Sequence, residues 1–293
     1  MDVKREEAGI SLATTAGRRP WRQRLPKRWY AHVILIVAIL ITGFPVYYAA
    51  VVATQSNTQI FNYQLTPSTY LARNWDLVIY ERQLPRYMVN SVIVALVMTT
   101  GKAALALLAG MAFVFFRFPG KWLVFGFVLI TLMMPTEVMA IALFRLVGIR
   151  LQWGGYDAMV VPFIASATGT FLFRQHFSSI PAELSEAAQI DGANPLQFLW
   201  RVLIPISWNA IAALFVIQFL YAWNQYLWPL MVVQEPTLRP VQVGLRTMRS
   251  GTETGDSFGP LMLGAVLVSL PPLIVFIALQ KQFMSGFALT RDK

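Results

Sequence analysis

The chain has 293 residues, of which 56% are hydrophobic and 13% charged, with a mean hydropathy of +0.54 and a formal net charge of +10. A soluble domain carries about a quarter charged residues, so this composition indicates a protein that crosses a bilayer several times. The cations gather at the edges of apolar runs rather than among stacking aromatics, which argues against nucleic-acid binding. With no cysteine and only His32 and His176, disulfides are excluded and no zinc or iron–sulfur ligand set can be assembled.

Residues 1–30 read as a basic tail bearing Lys4, Arg5, Arg18, Arg19, Arg22, Arg24, Lys27 and Arg28. The apolar run that follows, Val33 to Ala53, reaches the ~20 residues a membrane helix needs. A signal peptide has an apolar region of only about 7–15 residues, so an uncleaved span is predicted. Residues 31–86 then comprise this first span and a polar, aromatic external loop from 54 to 86. A second span is predicted from Tyr87 to Phe116, returned by the turn Arg117-Phe118-Pro119-Gly120-Lys121. The third covers Trp122 to about Leu146 with Pro135 inside it, and a short external loop near 147–155 contains Gly154-Gly155. The fourth runs from Tyr156 to Phe177 and the fifth from Ile206 to Val233. The sixth runs from Pro260 to Phe283, interrupted by Pro271-Pro272, and 284–293 is a short tail.

Six spans put both termini on the same side. On that assignment the inner side carries 15 Lys and Arg and the outer side 8, in the sense of the positive-inside rule. No inverted repeat of the kind built into many secondary transporters is visible by eye.

Between the fourth and fifth spans lies a polar island, 179–205, which reads as two short helices around a sharp bend. Pro181 suits a first helical position, and Glu183 and Glu186 complement the positive end of the helix dipole. Gly192 stands where a left-handed residue would close the first helix. Asn194-Pro195 reads as an N-cap and first helical position of a second helix, with Leu196, Leu199, Trp200 and Leu203 on one face. Pro205 ends it. Such a protrusion can enter a partner's groove or lie as an amphipathic loop on the lipid surface.

Few other motifs carry chemistry. Gly101-Lys102 is not a phosphate loop, because Leu96 and Ala103 occupy the places of the required Gly and Ser or Thr. Lys102 and Glu137 are the ionisable residues deepest in apolar runs. A charge there costs about 2.5–3.5 kcal/mol on insertion scales, so each faces a partner or a wet cavity. Lys102 either attracts an anionic solute or braces the helices structurally. In the fifth span, Trp223, Asn224 and Gln225 open the run Trp223-Asn224-Gln225-Tyr226-Leu227-Trp228-Pro229. Its amides can bond a hydroxylated solute while the rings pack its carbon skeleton, or they can join helices. Ser166, Thr168 and Thr170 read as packing residues. No catalytic constellation and no metal-ligand cluster is found.

Glu186-Ala187-Ala188, Gly192 four residues on and Val202-Leu203-Ile204-Pro205 resemble the EAA loop of ABC-importer membrane subunits. Val202 and Ile204 stand where that pattern usually has Ile and Leu. Further likeness is carried by Phe116-Arg117-Phe118-Pro119, Ile130-Thr131-Leu132-Met133-Met134-Pro135, Thr170 to Gln175 and Trp223 to Pro229. The chain from about 33 to 288 thus resembles the permease subunits of carbohydrate-type ABC importers, the maltose-permease-like group. Within it the likeness is greatest to permeases for glycerol-3-phosphate and glycerophosphodiesters.

The resemblance implies an all-α membrane protein with the six-helix transmembrane domain of a type I ABC importer, its core at 87–283. It implies a heterodimer with a sister permease in a bacterial cytoplasmic membrane, both termini cytoplasmic. It also implies two ATPase subunits and an extracytoplasmic substrate-binding protein. The docking residues would be Glu186, Ala187, Ala188, Gly192 and Pro205. ATP and Mg would be bound by the partner ATPase and no cofactor by this chain, which is then no enzyme itself. The solute would be glycerol-3-phosphate or a glycerophosphodiester, a neutral sugar or oligosaccharide being the alternative. A secondary transporter or membrane scaffold without an ATPase is the alternative of another class.

Overall fold

The computed structural model describes residues 29–250 and 258–288, except for the side chains at 136–137, 249–250 and 285–288. Nearly all of the basic tail assigned to 1–30, the C-terminal residues 289–293 and the loop residues 251–257 lie outside the described residues. Helix is the only regular structure among the described residues. That is the solution hydrocarbon favours, since each helix satisfies its own backbone groups.

The chain divides into two units, the first ending at Tyr47 and the second beginning at Tyr48. Most of α1 (Trp29–Val52) belongs to the first, an apolar helix that runs unbroken through Pro45. The second unit is built around α2 (Leu84–Phe115), with Pro85 at its start, where a missing N–H costs nothing. Its 32 residues make a rod of about 48 Å, longer than the hydrocarbon layer it would cross. Then come α3 (Lys121–Leu132), α4 (Thr136–Phe144), α5 (Ala167–Ser178) and α6 (Ala182–Ile190). They are followed by α7 (Trp208–Trp223), α8 (Val241–Ser250) and α9 (Phe258–Ala288). Helices α5 and α7 both pack on α2, and α9 packs on α7.

Four described stretches are long and apolar enough to cross a membrane: Trp29–Val52, Leu84–Phe115, Tyr156–Ser178 and Phe258–Met284. A fifth arises when α7 is joined across an 82° bend to Pro195–Ile206. The third expected span is two helices. α3 stops at Leu132 and α4 starts after Pro135, which is extended at φ −66°, ψ 127°. Proline lacks the N–H that would continue the helix and biases the residue before it away from helix, so the chain breaks there. The fifth is likewise broken, α7 ending at Trp223 and helix resuming only over Leu227–Val232. The expected interruption of the sixth is absent, because α9 passes straight through Pro271 and Pro272. In apolar surroundings a full break would leave still more backbone groups unsatisfied, so the helix continues through both prolines.

Close approach at two glycines, beside large apolar side chains, joins α2 to α5. A Cβ added at Gly110 would stand 2.7 Å from the Phe173 Cβ and 3.1 Å from the Phe173 carbonyl carbon. One at Gly169 would lie 2.8 Å from the Ala106 Cβ. Lipid is as apolar as leucine, so membrane helices associate by such packing and by polar bonds. Two apolar cores flank this seam. One gathers Leu84, Val94, Met98, Phe219, Trp223 and Val241, and the other gathers Ala106, Phe173, Phe177, Phe198 and Leu203.

At the first core's end, α2 anchors the segment leading into α8. Asn90 Nδ2 donates to the Thr237 and Arg239 carbonyls (2.8 and 3.0 Å), its Oδ1 accepts from the Tyr156 hydroxyl (2.7 Å), and Ser91 Oγ accepts from the Val241 N–H (2.8 Å). At the second core's end lies the loop after α5. Gly110→Val is expected to lower stability by about 1–3 kcal/mol, the cost of overpacking against backbone. Thermal unfolding in detergent checks it, and an unchanged midpoint would mean that α2 and α5 do not meet there.

Candidate functional site

The protrusion between α5 and α7 is closed by local hydrogen bonds. Pro181 caps α6 from one residue before its first helical position, a shift of one from the expectation. Gly192 has φ +72°, its N–H donates to the Gln189 carbonyl (3.0 Å) and the Ala193 N–H to the Ala188 carbonyl (2.9 Å). This is a Schellman closure, and open space surrounds the glycine, so backbone conformation rather than crowding selects it. The next helix begins at once. Asn194 Oδ1 accepts from the Gln197 N–H (2.8 Å), and Gln197 Oε1 accepts from the Asn194 N–H (2.9 Å), with Pro195 in the first turn. This reciprocal capping box fixes the angle at which the chain leaves the bend.

That second helix widens into a π turn over Leu199–Leu203, continues through Ile204–Ile206 and then bends by 82° into α7. Its buried face differs from the expected one. Leu199 and Leu203 are buried with Phe198, whereas Leu196 and Trp200 are exposed. The roll is set by Phe198, whose ring stands edge-on to Phe115 with centroids 5.2 Å apart. Ala188 is half-buried against the second core, while Glu186, Ala187, Gly192 and Pro205 are exposed. Ile190 is 86% exposed and Trp200 68%, so the outer surface of the protrusion carries uncovered apolar groups beside carboxylates. Protein partners cover such patches.

A cavity of about 630 Å³ lies between α4, α7 and the turn that follows α7. Asn224, Gln225, Tyr221 and Tyr226 line it together with Ala140 and Phe163. Asn224 and Gln225 fall where the helix ends, and Asn224 Nδ2 donates back to the Leu220 carbonyl (2.9 Å). Asn224 Oδ1 accepts from Gln242 Nε2 (3.3 Å), and Gln225 Oε1 is buried without a hydrogen-bond partner among the described residues. Trp223 does not line the cavity. It is 1% exposed and stacks on Phe219, centroids 5.9 Å apart, because it is the last residue of α7 and faces the first core. The Glu137 side chain lies outside the described residues, although its helix α4 supplies Ala140 to the cavity wall.

Lys102 sits behind the cavity rather than in it. Its Nζ donates to Gln218 Oε1 (2.9 Å) and lies 4.4 Å from the centroid of Tyr221, whose ring lines the cavity. Gln218 Nε2 in turn donates to Ser166 Oγ (3.4 Å), which also accepts from the Gly169 N–H (3.0 Å) and so caps α5. A lysine, an amide and a hydroxyl thus tie α2, α7 and α5 together. Ser166 is part of this chain and not merely a packing residue. Gln218 and Tyr221 were legible only as a polar residue and a ring inside an apolar run, because their partner is more than a hundred positions away. Arg246 and Gln242 of α8, at the cavity rim, carry a weaker signal still: their four-residue spacing on one helix face. Among the described residues no group of three or more His, Cys, Asp or Glu could hold a metal ion.

Broken spans, an exposed helical protrusion and a cavity lined by amides and aromatic rings define a polytopic transport protein. Residues 102–287 match the family described as "Binding-protein-dependent transport system inner membrane component", and the chain belongs to that family. It is a permease subunit, a multi-pass inner-membrane protein. The sn-glycerol-3-phosphate transport system permease protein UgpE of Brucella melitensis biotype 1 is 38% identical over 277 residues, covering 92% of this chain and 98% of that protein. The protein of the same name from Rhizobium meliloti is 38% identical over 268 residues, covering 88% of this chain and 95% of that one. Among solved structures, a bacterial ABC transporter involved in the import of the acidic polysaccharide alginate superposes with a TM-score of 0.75 at 22% identity. The match covers 87% of this chain and 95% of that one and establishes the shared fold, that of a type I ABC importer permease.

The Lys102–Gln218 bond makes a coupled pair. Lys102→Met strands the Gln218 carbonyl and is expected to cost about 1–3 kcal/mol, whereas Lys102→Met with Gln218→Leu should recover part of it. A double-mutant cycle on unfolding midpoints measures this, and strictly additive losses would contradict the coupling.

Proposed function

We propose that this permease carries sn-glycerol-3-phosphate into the cell as half of the translocation pathway of an ATP-driven importer. A sister permease supplies the other half, two ATPase subunits dock from the cytoplasm, and an extracytoplasmic binding protein delivers the solute. The relatives' names support the solute, and a cavity lined by Asn224, Gln225 and aromatic rings accords with a hydroxylated one. Both termini and the protrusion at 179–205 face the cytoplasm in this reading, the side favoured by the 15-to-8 distribution of Lys and Arg.

The single observation that carries the mechanism is the shape of the protrusion. A Schellman closure and a capping box joined back to back hold two short helices at a set angle, with Ile190 and Trp200 uncovered. An ATPase groove that receives this element could displace it as a rigid body, and the 82° bend joins it directly to α7, one wall of the cavity. Glu186, Ala187, Ala188, Gly192 and Pro205 would form or shape the docking face. Asn224 and Gln225 would contact the solute, and Lys102 would act through Tyr221.

The test is substrate-stimulated ATP hydrolysis by the purified complex, offered sn-glycerol-3-phosphate, glycerophosphocholine and a panel of neutral sugars. Stimulation by the phosphate ester is expected, and stimulation by a sugar alone would reassign the solute. Gly192→Val adds a branched side chain where φ is positive and should keep the complex inserted while uncoupling hydrolysis from uptake. Normal coupling in that variant would remove the bend from the mechanism.

A further inference from the structure

Helix α8 lies in what the sequence presents as an external loop, yet it is bonded to two residues that line the cavity. Gln242 and Arg246 stand four residues apart and so share one face of the helix. Gln242 Nε2 donates to Asn224 Oδ1 (3.3 Å), and the Arg246 guanidinium donates to the Tyr226 hydroxyl and lies 5.7 Å from the Tyr226 ring centroid. Asn224 and Tyr226 both line the cavity.

The other side of α8 leaves no room to turn. Val241 and Met248 are buried, and a Cβ at Gly244 would fall 2.4 Å from the Tyr87 ring of α2. The helix is thereby held with Arg246 at the rim. A guanidinium has five N–H donors, and the bond to Tyr226 occupies only one of its nitrogens. Arg246 is exposed, and no carboxylate lines the cavity among the described residues. On the far wall the Lys102 ammonium backs the Tyr221 ring at 4.4 Å. Arg246 and Lys102 thus each stand against a tyrosine of the cavity wall.

We infer that Arg246, held by Tyr226 on a helix pinned through Gln242, forms an anion subsite at the cavity mouth. It takes the phosphoryl group of a polyol phosphate monoester. The inference rests on the solute reading given above and adds to it the residue that selects for charge. Planar donors match a phosphoryl group with two parallel bonds, so arginine serves there better than lysine, and either serves better than a neutral side chain.

The experiment uses the full importer with its binding protein in proteoliposomes, following uptake of radiolabelled sn-glycerol-3-phosphate at two ionic strengths. Arg246→Gln is expected to raise the half-saturation concentration about tenfold, the effect of losing one charged contact, and to flatten its dependence on salt. Arg246→Lys should fall between the two and keep the salt dependence. Equal impairment by Gln and Lys would make Arg246 a strut of α8 and overturn the subsite, as would wild-type kinetics in Arg246→Gln. If the unaltered importer takes up no sn-glycerol-3-phosphate but does take up a neutral sugar, the solute reading itself fails and the subsite with it.

Discussion

The whole second unit depends on how closely α2 can approach its neighbours. Gly110 and Gly169 bring backbone against side chain between α2 and α5, and no larger residue fits either place without displacing the opposite helix. Where hydrophobic burial gives helices little reason to associate, this contact and the Lys102–Gln218–Ser166 chain replace it. They act at the same level of the bundle, since Ser166 caps the helix that carries Gly169. Packing and polar bonding therefore reinforce one register of α2, α5 and α7. The two apolar cores, one toward α8 and one toward the protrusion, are separated and joined by this seam.

The protrusion and the cavity use the same α7. Its start receives the bent segment Pro195–Ile206, and its end releases Asn224 and Gln225 into the cavity. Between them, on successive turns, stand Gln218 and Tyr221, which hold and screen the Lys102 ammonium. Polar side chains in a membrane helix are costly and each needs a reason. Here the reasons are a bond across helices, a ring at a cavity wall and amides at a helix end.

Local signals were the legible ones. Gly192 and Asn194-Pro195 announced the bend because left-handed backbone and helix capping are properties of a few consecutive residues. The long apolar runs likewise placed α2 and α9 to within a few positions. Breaks inside spans were harder: Pro135 stops a helix whereas Pro271 and Pro272 do not, because what decides is whether neighbours accommodate the freed backbone. Trp223 adjoins Asn224 and Gln225 in sequence, but the helix ends between them and sends the ring to the core and the two amide residues to the cavity wall. The buried face of the second protruding helix does not follow from apolar spacing alone, since a partner ring from α2, Phe115, sets its roll. Gln218 and Arg246 gained meaning only through partners distant along the chain.

The near-right-angle corner at Ser207 has a mechanical consequence. A straight joint would pass an axial push up α7 as sliding, leaving the side chains of each turn opposite the same neighbours. An elbow of 82° works instead as a bell crank, turning a sideways load on its short arm into tilt of the long one. For one angle of tilt, displacement grows with distance from the pivot, so Gln218, Tyr221 and Asn224 would travel progressively farther. The largest excursion would then come where the amides meet the cavity, and the smallest at the elbow itself.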